Sequence, residues 1–512
     1  MNNADIQQAW AYHDGTKHSE RSVRTDTHYL DFANQPRPLK VYSTLEPIPL
    51  PREAEQTGIA ALSAIAHQEL TIDVDALPAM KDLARILYFS AGITKVKRYP
   101  GGEIYFRAAP CTGALYEIEL YLVCGDLSDL EAGVYHFAPG DFSLRCLRKG
   151  DFRGTLVHAT AGENRTAHAP VTIVCTGTYW RNSWKYRSRT YRHFGWDNGT
   201  LLANMLAMSN ALALPAGVVC GFVDAEVNQL LDVDTEREVA FSIVPIGHAK
   251  SAVPGIISDI PELNFPLAPL SQNEIDYPPL RVIHEASSMH TPEEVRKWRG
   301  STPAHSFPAP STPLIPLRPL DESEMPRDLI EQAILRRGSS RRFTRESIPF
   351  SKFSTILDCA TRGIPADFLD PLRTQLNDLY IIVNAVEGLN PGSYVFHRNK
   401  RALECLKEGS FRAEAQHLGL QQALPGDASA SIFFLADLDP LLARYGNRGY
   451  RSVQLESGII GGKLYLGAYA LRVGATGLTF FDDDVTDFFS PHAAGKSAIF
   501  LVSIGKGVKP SA

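Results

Sequence analysis

The segment AGVYHFAPGDFSLRCLRKGDFR, Ala132–Arg153, returns later in the chain as PGSYVFHRNKRALECLKEGSFR, Pro391–Arg412. Tyr135 aligns with Tyr394, an offset of 259 residues (394 − 135). Each of the two segments has short runs of apolar residues on both sides of a turn, which predicts a β-hairpin. Two hairpins at a fixed distance indicate two copies of one larger unit.

The same offset continues far beyond the hairpin. KYRSRTYRHFGWDNGTLL aligns with RYGNRGYRSVQLESGIIG, so Arg189 corresponds to Arg448 and Gly199 to Gly458. The stretches PVTIVCTG and VPIG match SIFFLADL and VSIG within two residues of that offset. Chance does not readily give an offset this steady, so we expect a tandem duplication with a long N-terminal extension before the first copy.

Both copies show the same order of predicted elements. An opening helix (Leu83–Ala91 and Phe353–Thr361) precedes an apolar strand, the hairpin and a second apolar strand. A long helix (Gly199–Leu214 and Gly458–Val473) and a closing strand complete each copy. Hairpins mixed with helices predict an α+β sandwich rather than a doubly wound sheet. No GxGxxG motif follows a strand and opens a helix, so a Rossmann dinucleotide site is not expected.

Proline marks the boundary between the copies. Ser301–Leu320 contains six prolines, a density that favours extended backbone, and the preceding residues are turn-rich apart from a helical pattern at Thr291–Trp298. We therefore divide the chain into an extension (residues 1–80), a first domain (81–260), a Pro-rich linker (261–325) and a second domain (326–512).

Composition excludes several classes of protein. Apolar residues make up 44% and charged residues 21%, as in ordinary globular domains, and the net charge of −6 gives no reason to expect nucleic-acid binding. No apolar run is long enough to cross a membrane. The seven cysteines form no CxxC pair and no HxxxH pair occurs, so we expect neither disulfides nor a metal site, and a reducing, cytoplasmic location.

Three motifs could carry chemistry. In the first, RGSSRRF, Arg337, Ser339 and Arg341 supply two forked guanidiniums and a hydroxyl that could converge on one phosphate. A solvated basic turn explains the same pattern about equally well. Elsewhere, the acidic run Asp482–Asp484 could suggest a cation site, but it has no partner ligands at a defined spacing. We interpret it as a solvated turn.

The second motif is RAAPCTGALYEIELY. Its residues Pro110, Cys111, Thr112 and Gly113 are small and precede a buried strand, so their backbone could approach a flat ligand, although a plain turn fits as well.

The third motif is WKYRSRTYR, in which Lys185 and Tyr186 could act as general base and hydrogen-bond donor if burial lowers the lysine pKa. The alternative is an amphipathic surface segment with the tyrosine packed and the lysine solvated.

Together these motifs resemble the nitroreductase-like flavin fold, and within it the SagB-type dehydrogenases, FMN-dependent enzymes that oxidise azolines to azoles in peptide natural products. YHDGTKHS resembles the opening of that branch, and RAAPCTGALYEIELY its R-x-x-P-S-A-G-A-L-Y-P-x-E-L-Y segment. WKYRSRTYR, followed by Asp197, Gly199 and Asn204, resembles its W-K-Y-x-x-R-x-Y-R…D-x-G…N pattern. The resemblance implies a dimer-like pairing, with FMN between an R-x-S-x-R phosphate clamp of one unit and a small-residue ring loop of the other.

Each copy departs from that pattern at a different place. The first copy has the ring loop, but ALSAIAHQELTIDV stands where a clamp would be. The second has the clamp, but its ring-loop position reads LDPLRTQLNDLY, with bulky Leu372 and Arg373. If the copies pack as the family's subunits do, one interface is complete and the other is doubly defective. We expect one FMN per chain in an intramolecular pseudo-dimer, although the linker could also let two chains exchange copies.

The resemblance assigns roles to single residues. Arg337, Ser339 and Arg341 would hold the phosphate, completed by Lys506 or Lys509. Pro110, Cys111, Thr112 and Gly113 would lie over the ring, with Cys111 in place of the usual serine. A second small-residue loop near flavin N5 would be Gly474, Ala475, Thr476 and Gly477. Lys185 and Tyr186 would transfer the proton.

We therefore expect an FMN-dependent oxidoreductase that oxidises an azoline-like or peptide-derived heterocycle. It would work with biosynthetic partner enzymes and without nucleic acid or membrane, and further homo-oligomers remain open. The alternatives are an NAD(P)H-dependent nitroreductase or quinone reductase, and a degenerate, non-catalytic partner protein.

Overall fold

A computed structural model describes residues 2–52, 55–66, 74–100, 102–256, 259–300, 308–369 and 374–508. Leu372, Arg373 and Lys509, with residues 301–307 of the linker and 67–73 of the extension, lie outside the described residues.

The helices follow the chain in this order: α1 Gln7–Gly15, α2 Glu20–Arg24, α3 Ala61–Ile65, α4 Met80–Ala91, α5 Arg153–Ala159, α6 Asn164–His168, α7 Tyr179–Tyr186, α8 Thr190–Ala211, α9 Asp224–Leu231, α10 Pro278–Ala286, α11 Pro292–Trp298, α12 Ile330–Arg336, α13 Phe350–Ala360, α14 Arg412–Leu418, α15 Ala423–Asp427, α16 Leu438–Tyr445, α17 Asn447–Ala470 and α18 Asp482–Phe489. Short 3-10 turns are Phe32–Asn34, Thr112–Ala114, Arg187–Arg189 and Arg398–Lys400.

The strands are β1 Pro47–Pro49, β2 Ile93–Tyr99, β3 Gly102–Arg107, β4 Ile118–Cys124, β5 Gly133–Ala138, β6 Ser143–Lys149, β7 Val171–Thr178, β8 Glu238–Ile246, β9 Ile315–Pro316, β10 Ile348–Pro349, β11 Asp378–Val383, β12 Val386–Glu387, β13 Gly392–His397, β14 Ala402–Glu408, β15 Ala430–Ala436, β16 Gly474–Leu478 and β17 Ser497–Gly505.

Each copy is built on an antiparallel sheet of the same order. The first sheet runs β1-β6-β5-β4-β7-β8. Written in the matching direction, the second runs β9-β14-β13-β11-β15-β17 and continues with one further strand, β16. Both hairpins carry a register shift at the same place, between Val134 and Tyr135 in the first and between Ser393 and Tyr394 in the second. Because bulges depend on local sequence and are kept within a fold, equivalent bulges confirm the duplication.

The two copies meet along their long helices, α8 and α17. Gly199 and Gly458 face each other so closely that a Cβ on Gly199 would lie 2.5 Å from the Cα of Gly458. These two residues are equivalent in the repeat, which places the contact on a pseudo-two-fold axis. The α+β class and the intramolecular pseudo-dimer are thereby confirmed, with the pairing made inside one chain.

Buried ion pairs tie the copies together on both sides of this axis. Arg189 and Arg192 of the first copy bond to Asp482 of the second, at 3.2 and 2.6 Å. The equivalent Arg448 of the second copy bonds to Asp224 of the first at 2.8 Å. The interpretation of the acidic run as a solvated turn is therefore wrong for Asp482, which begins α18 and is 1% exposed.

The linker proves to be more than a spacer. It contains the helices α10 and α11. His284 of α10 contacts the Tyr191 hydroxyl, and His13 of α1 contacts the hydroxyl of Tyr450, the residue equivalent to Tyr191 in the second copy. In addition, β9 pairs with β14 as β1 pairs with β6. The linker is thus the second copy's equivalent of the N-terminal extension. The prediction of a turn-rich segment within the linker missed α10, because its first residues are prolines at positions where a helix tolerates them.

The long helices begin earlier than their patterns predicted, at Thr190 and Asn447, because their polar residues are buried by the opposite copy. The β2–β3 hairpin was not predicted. None of the described helices has the length and apolar character required to cross a membrane.

Candidate functional site

The ring loop has a strained, tightly held backbone. It connects β3 to β4, and Gly113, Ala114 and Tyr116 all adopt positive φ angles between 55° and 64°. Asp197 of α8 holds the loop, because its carboxylate accepts hydrogen bonds from the Thr112 backbone N–H at 2.9 Å and the Thr112 hydroxyl at 2.9 Å. Strain of this kind persists where surrounding contacts enforce it, as at ligand sites.

Below the loop, Cys111 points to two carboxylates. Its Sγ lies 3.3 Å from Glu117 Oε2 and 3.4 Å from Asp197 Oδ2. Burial, followed by the charges of Asp197 and Glu117, raises the pKa of the Cys111 thiol well above its usual range. Burial and the neighbouring Glu117 also raise the pKa of Asp197. Cys111 is therefore a protonated thiol here and not a free nucleophile.

The predicted Lys–Tyr pair borders this loop. A Cβ on Gly113 would lie 2.9 Å from the Tyr186 hydroxyl, so the absence of a side chain at Gly113 makes room for the phenol. The Lys185 Nζ lies 5.3 Å from the centre of the Tyr186 ring. Burial, and after it the positive charge of Arg341, lowers the pKa of Lys185, whereas burial raises the pKa of Tyr186.

The clamp of the second copy reaches the loop of the first. Arg337 donates from Nε to the Ala108 carbonyl at 2.9 Å and from Nη2 to the Arg107 carbonyl at 3.0 Å. The Ser339 hydroxyl lies 3.4 Å from the Tyr465 hydroxyl. The Arg341 side chain is exposed and has no hydrogen-bond or ion-pair partner among the described residues. Two guanidiniums and a hydroxyl at the edge of the ring loop fit a phosphate group.

The predicted second loop is instead an edge strand, β16, whose residues Gly474, Ala475, Thr476 and Gly477 pair with β17. It lies directly against the clamp. The Ser340 N–H donates to the Ala475 carbonyl at 2.9 Å, and a Cβ on Gly474 would lie 2.3 Å from Ser340 Oγ.

Lys506, the other residue assigned to the phosphate, is exposed, and its Nζ forms an ion pair with Glu346. The structure therefore places the clamp segment against β16 through Ser340, and it shows Lys506 paired with Glu346.

The opposite interface is filled by the protein itself. There Arg444 and Tyr445 are equivalent to Lys185 and Tyr186 at the same offset. Tyr445 is 1% exposed, donates to the Phe368 carbonyl at 3.2 Å and lies under Trp298, with ring centres 5.5 Å apart. Trp298 belongs to α11, so part of the linker closes this side.

Sequence reasoning missed three residues of the site. Asp197 belonged to the quoted D-x-G pattern, but nothing in the sequence placed it under Thr112. Glu117 stands at a position where the pattern has proline, and this departure was a usable signal. Tyr465 gave no signal, because it lies within a helix that is buried on nearly all sides.

Comparisons with known proteins agree with the tandem fold. The family model described as "Nitroreductase family" matches residues 75–248 and 334–505, once in each copy. A solved structure of a candidate nitroreductase from Anabaena variabilis superposes with a TM-score of 0.76 at 25% identity, covering 98% of this chain and 99% of that chain.

Two curated relatives match shorter stretches. The candidate nitroreductase MJ1384 of Methanocaldococcus jannaschii is 26% identical over 168 residues, 33% of this chain and 80% of that protein. The trifolitoxin-processing protein TfxB of Rhizobium leguminosarum bv. trifolii is 27% identical over 204 residues, 38% of this chain and 53% of that protein. The second match thus spans about half of TfxB, and it supports the resemblance to the SagB-type branch. The chain belongs to the nitroreductase family of oxidoreductases, and it carries the family's domain twice in tandem.

Proposed function

We propose that the chain is an FMN-dependent dehydrogenase of the SagB type, with one FMN site per chain. The observation that carries the proposal is the contact of Arg337 with the carbonyls of Arg107 and Ala108. It joins the only predicted clamp to the only predicted ring loop. Members of the nitroreductase family generally bind flavin, and the donor set at this junction fits the phosphate of FMN.

The roles of the two arginines differ. Arg337 uses two of its nitrogens on backbone carbonyls and therefore positions the clamp against the loop, with Nη1 left for a ligand. Arg341 is exposed and can turn its whole guanidinium to a phosphate. Ser339 offers a hydroxyl beside both.

Oxidation of an azoline removes two hydrogens, one as hydride and one as a proton. Bound FMN supplies the hydride acceptor, so the chain must supply a proton acceptor. Lys185 fits that role because burial and Arg341 favour its neutral amine. Tyr186, whose raised pKa keeps the phenol protonated, fits the role of a hydrogen-bond donor to the substrate.

The opposite interface lacks these properties, which favours a single site. Arg444 replaces the lysine, and a guanidinium does not release its proton in proteins. Tyr445 is covered by Trp298 and already bonded to a carbonyl.

The substrate class rests on the resemblance and on the likeness to TfxB, which is named for the processing of a peptide toxin. We propose an azoline or a related heterocycle within a modified peptide, acting in concert with biosynthetic partner enzymes. The seven unpaired cysteines fit a reducing, cytoplasmic setting.

The proposal is tested by releasing the flavin from purified protein and counting FMN per chain. We expect one. Arg341→Ala should weaken FMN binding about 10- to 100-fold, since a hydrogen bond to a charged group contributes about 1.5–3 kcal/mol, and Ser339→Ala about 2- to 10-fold. Arg342→Ala is the matched control, because this exposed neighbour has no assigned role.

Two FMN per chain would contradict the single site. If the protein takes up no FMN even when FMN is supplied in excess, the result would support the alternative that the chain is a non-catalytic partner protein. Reduction of a nitroaromatic by NAD(P)H, with no oxidation of an azoline-containing peptide, would favour the general nitroreductase.

A further inference from the structure

Three side chains of different elements meet under the ring loop in an arrangement that the flavin site does not require. They are Cys111 of the loop, Glu117 just before β4 and Asp197 of α8. One donor atom of each, the Cys111 sulfur and one carboxylate oxygen of Glu117 and of Asp197, lies within 4.8 Å of the other two. Glu117 is 0% exposed and Asp197 6%.

The spacing of these atoms suits a small divalent cation. With a Zn–S bond of about 2.3 Å and a Zn–O bond of about 2.0 Å, tetrahedral geometry separates sulfur from oxygen by about 3.5 Å. The observed separations are 3.3 Å from Cys111 to Glu117 and 3.4 Å from Cys111 to Asp197. Both separations that involve the sulfur therefore match those of donors that share one cation.

Glu117 lacks part of the hydrogen bonding that a buried carboxylate normally has. Oε1 of Glu117 is buried and has no hydrogen-bond partner among the described residues, whereas Oε2 faces the Cys111 thiol at 3.3 Å. Neither Glu117 nor Asp197 forms an ion pair within the described ranges. Two buried carboxylates side by side need a proton or a cation to offset their repulsion.

Backbone groups already hold the donors in place. The Thr112 N–H lies 2.9 and 3.0 Å from Oδ1 and Oδ2 of Asp197, and the Thr112 hydroxyl donates to Oδ1. Oδ2 also lies 3.4 Å from the Cys111 sulfur. The Tyr116 N–H donates to Cys111 Sγ at 3.0 Å and holds the sulfur in position. A small cavity lined by Cys111, Asp197 and Leu201, among others, adjoins the cluster and leaves room for a fourth ligand such as water.

We propose that Cys111, Glu117 and Asp197 form a binding site for one divalent cation of the Zn²⁺ class, with water as the fourth ligand. Thiolate and carboxylate together suit such borderline metals. The cation would tie the ring loop to β4 and α8. Both unusual residues contribute: Cys111 and Glu117 stand where the quoted pattern has serine and proline. The proposal does not rest on the proposed function.

The test measures metal content and metal binding of the full chain. Purified protein is analysed for metals by mass spectrometry, stripped with a chelator and titrated with Zn²⁺ by calorimetry. Co²⁺ is then used as a spectroscopic probe, because thiolate ligation gives a charge-transfer band. The variants are Cys111→Ser, which restores the residue of the pattern and should fold, and Glu117→Gln. Cys146→Ser on β6 is the matched control.

We expect one Zn²⁺ per chain and a Co²⁺ charge-transfer band that Cys111→Ser abolishes. Both variants should bind Zn²⁺ at least about 100-fold more weakly than the wild type and the Cys146→Ser control. Zn²⁺ binding by Cys111→Ser and Glu117→Gln as tight as that of the wild type would place the cation elsewhere and overturn the proposal. Absence of binding at millimolar Zn²⁺ would overturn it too, and would leave a shared proton as the partner of the two carboxylates. Neither result bears on the FMN count.

Discussion

Exchange of a single hydrogen for a methyl group at Gly199 tests the pseudo-dimer directly. A Cβ at this position would lie 2.5 Å from the Cα and carbonyl carbon of Gly458, whereas ordinary contact begins near 3.4 Å. The obstacle is backbone, so no side chain can turn away. The two long helices must therefore separate by nearly 1 Å at their crossing.

The expected magnitude follows from two opposing terms. Alanine in place of glycine inside a helix contributes about 1 kcal/mol of stability. Overpacking costs about 1–3 kcal/mol, and a clash between two backbones belongs at the upper end. Gly199→Ala should thus lower the free energy of unfolding by about 2 kcal/mol. Gly467→Ala on α17 is the control, since its nearest neighbour would be Ile356 at 3.7 Å, and it should raise stability by up to about 1 kcal/mol.

The assay is urea unfolding followed by circular dichroism, combined with FMN retention on gel filtration. Gly199 lies two residues from Asp197, so a displaced α8 should also loosen the ring loop and increase FMN loss. If Gly199→Ala is as stable as Gly467→Ala and keeps its flavin equally well, the helices do not cross at Gly199 in solution, and the pairing of the copies described above is wrong.

Further predictions concern protons. Because the pKa of Lys185 is lowered, the kcat of azoline oxidation should rise with pH and reach its plateau below the ordinary pKa range of lysine. In Lys185→Arg this rise of kcat with pH should be absent. Tyr186→Phe should lower kcat about 100-fold or more while FMN content is unchanged. Burial alone would raise the pKa of Asp482, but Arg189 and Arg192 outweigh it and hold the pKa at about 2. The ionised Asp482 should contribute about 2 kcal/mol to the free energy of unfolding above pH 4, and this contribution should be lost as the pH falls to 2. Acid unfolding curves of the wild type and of Asp482→Asn measure it.

The repeat itself was readable from sequence because equivalent residues have equivalent surroundings in both copies. Tyr135 and Tyr394 follow the same bulge, and Gly199 and Gly458 form the same crossing. The motif residues Arg337 and Gly113 could be proposed from the sequence because their types match a chemical need that does not depend on the rest of the chain.

Other features depend on contacts between distant parts of the chain, which no local pattern reports. The start of α8 was missed because Arg192 is 0% exposed, so the helix shows no polar face. The cluster of Cys111, Glu117 and Asp197 gave no signal in the sequence, because 86 residues separate Cys111 from Asp197 and the packing of α8 under the loop brings them together. The helix α10 was hidden by its prolines, Pro278 and Pro279, which break a helix only in its interior.

The comparison of the two interfaces separates what packing requires from what chemistry requires. Both interfaces keep the buried arginine–aspartate contacts, Arg192 with Asp482 and Arg448 with Asp224. Removal of one partner would leave a buried charge, so these contacts persist whether or not a ligand binds nearby. The lysine, in contrast, is present at one interface only, and the other has Arg444 under a closed cover. The structural groups are thus common to both interfaces whereas the chemical groups differ, which is the pattern that our proposal of one working site per chain requires.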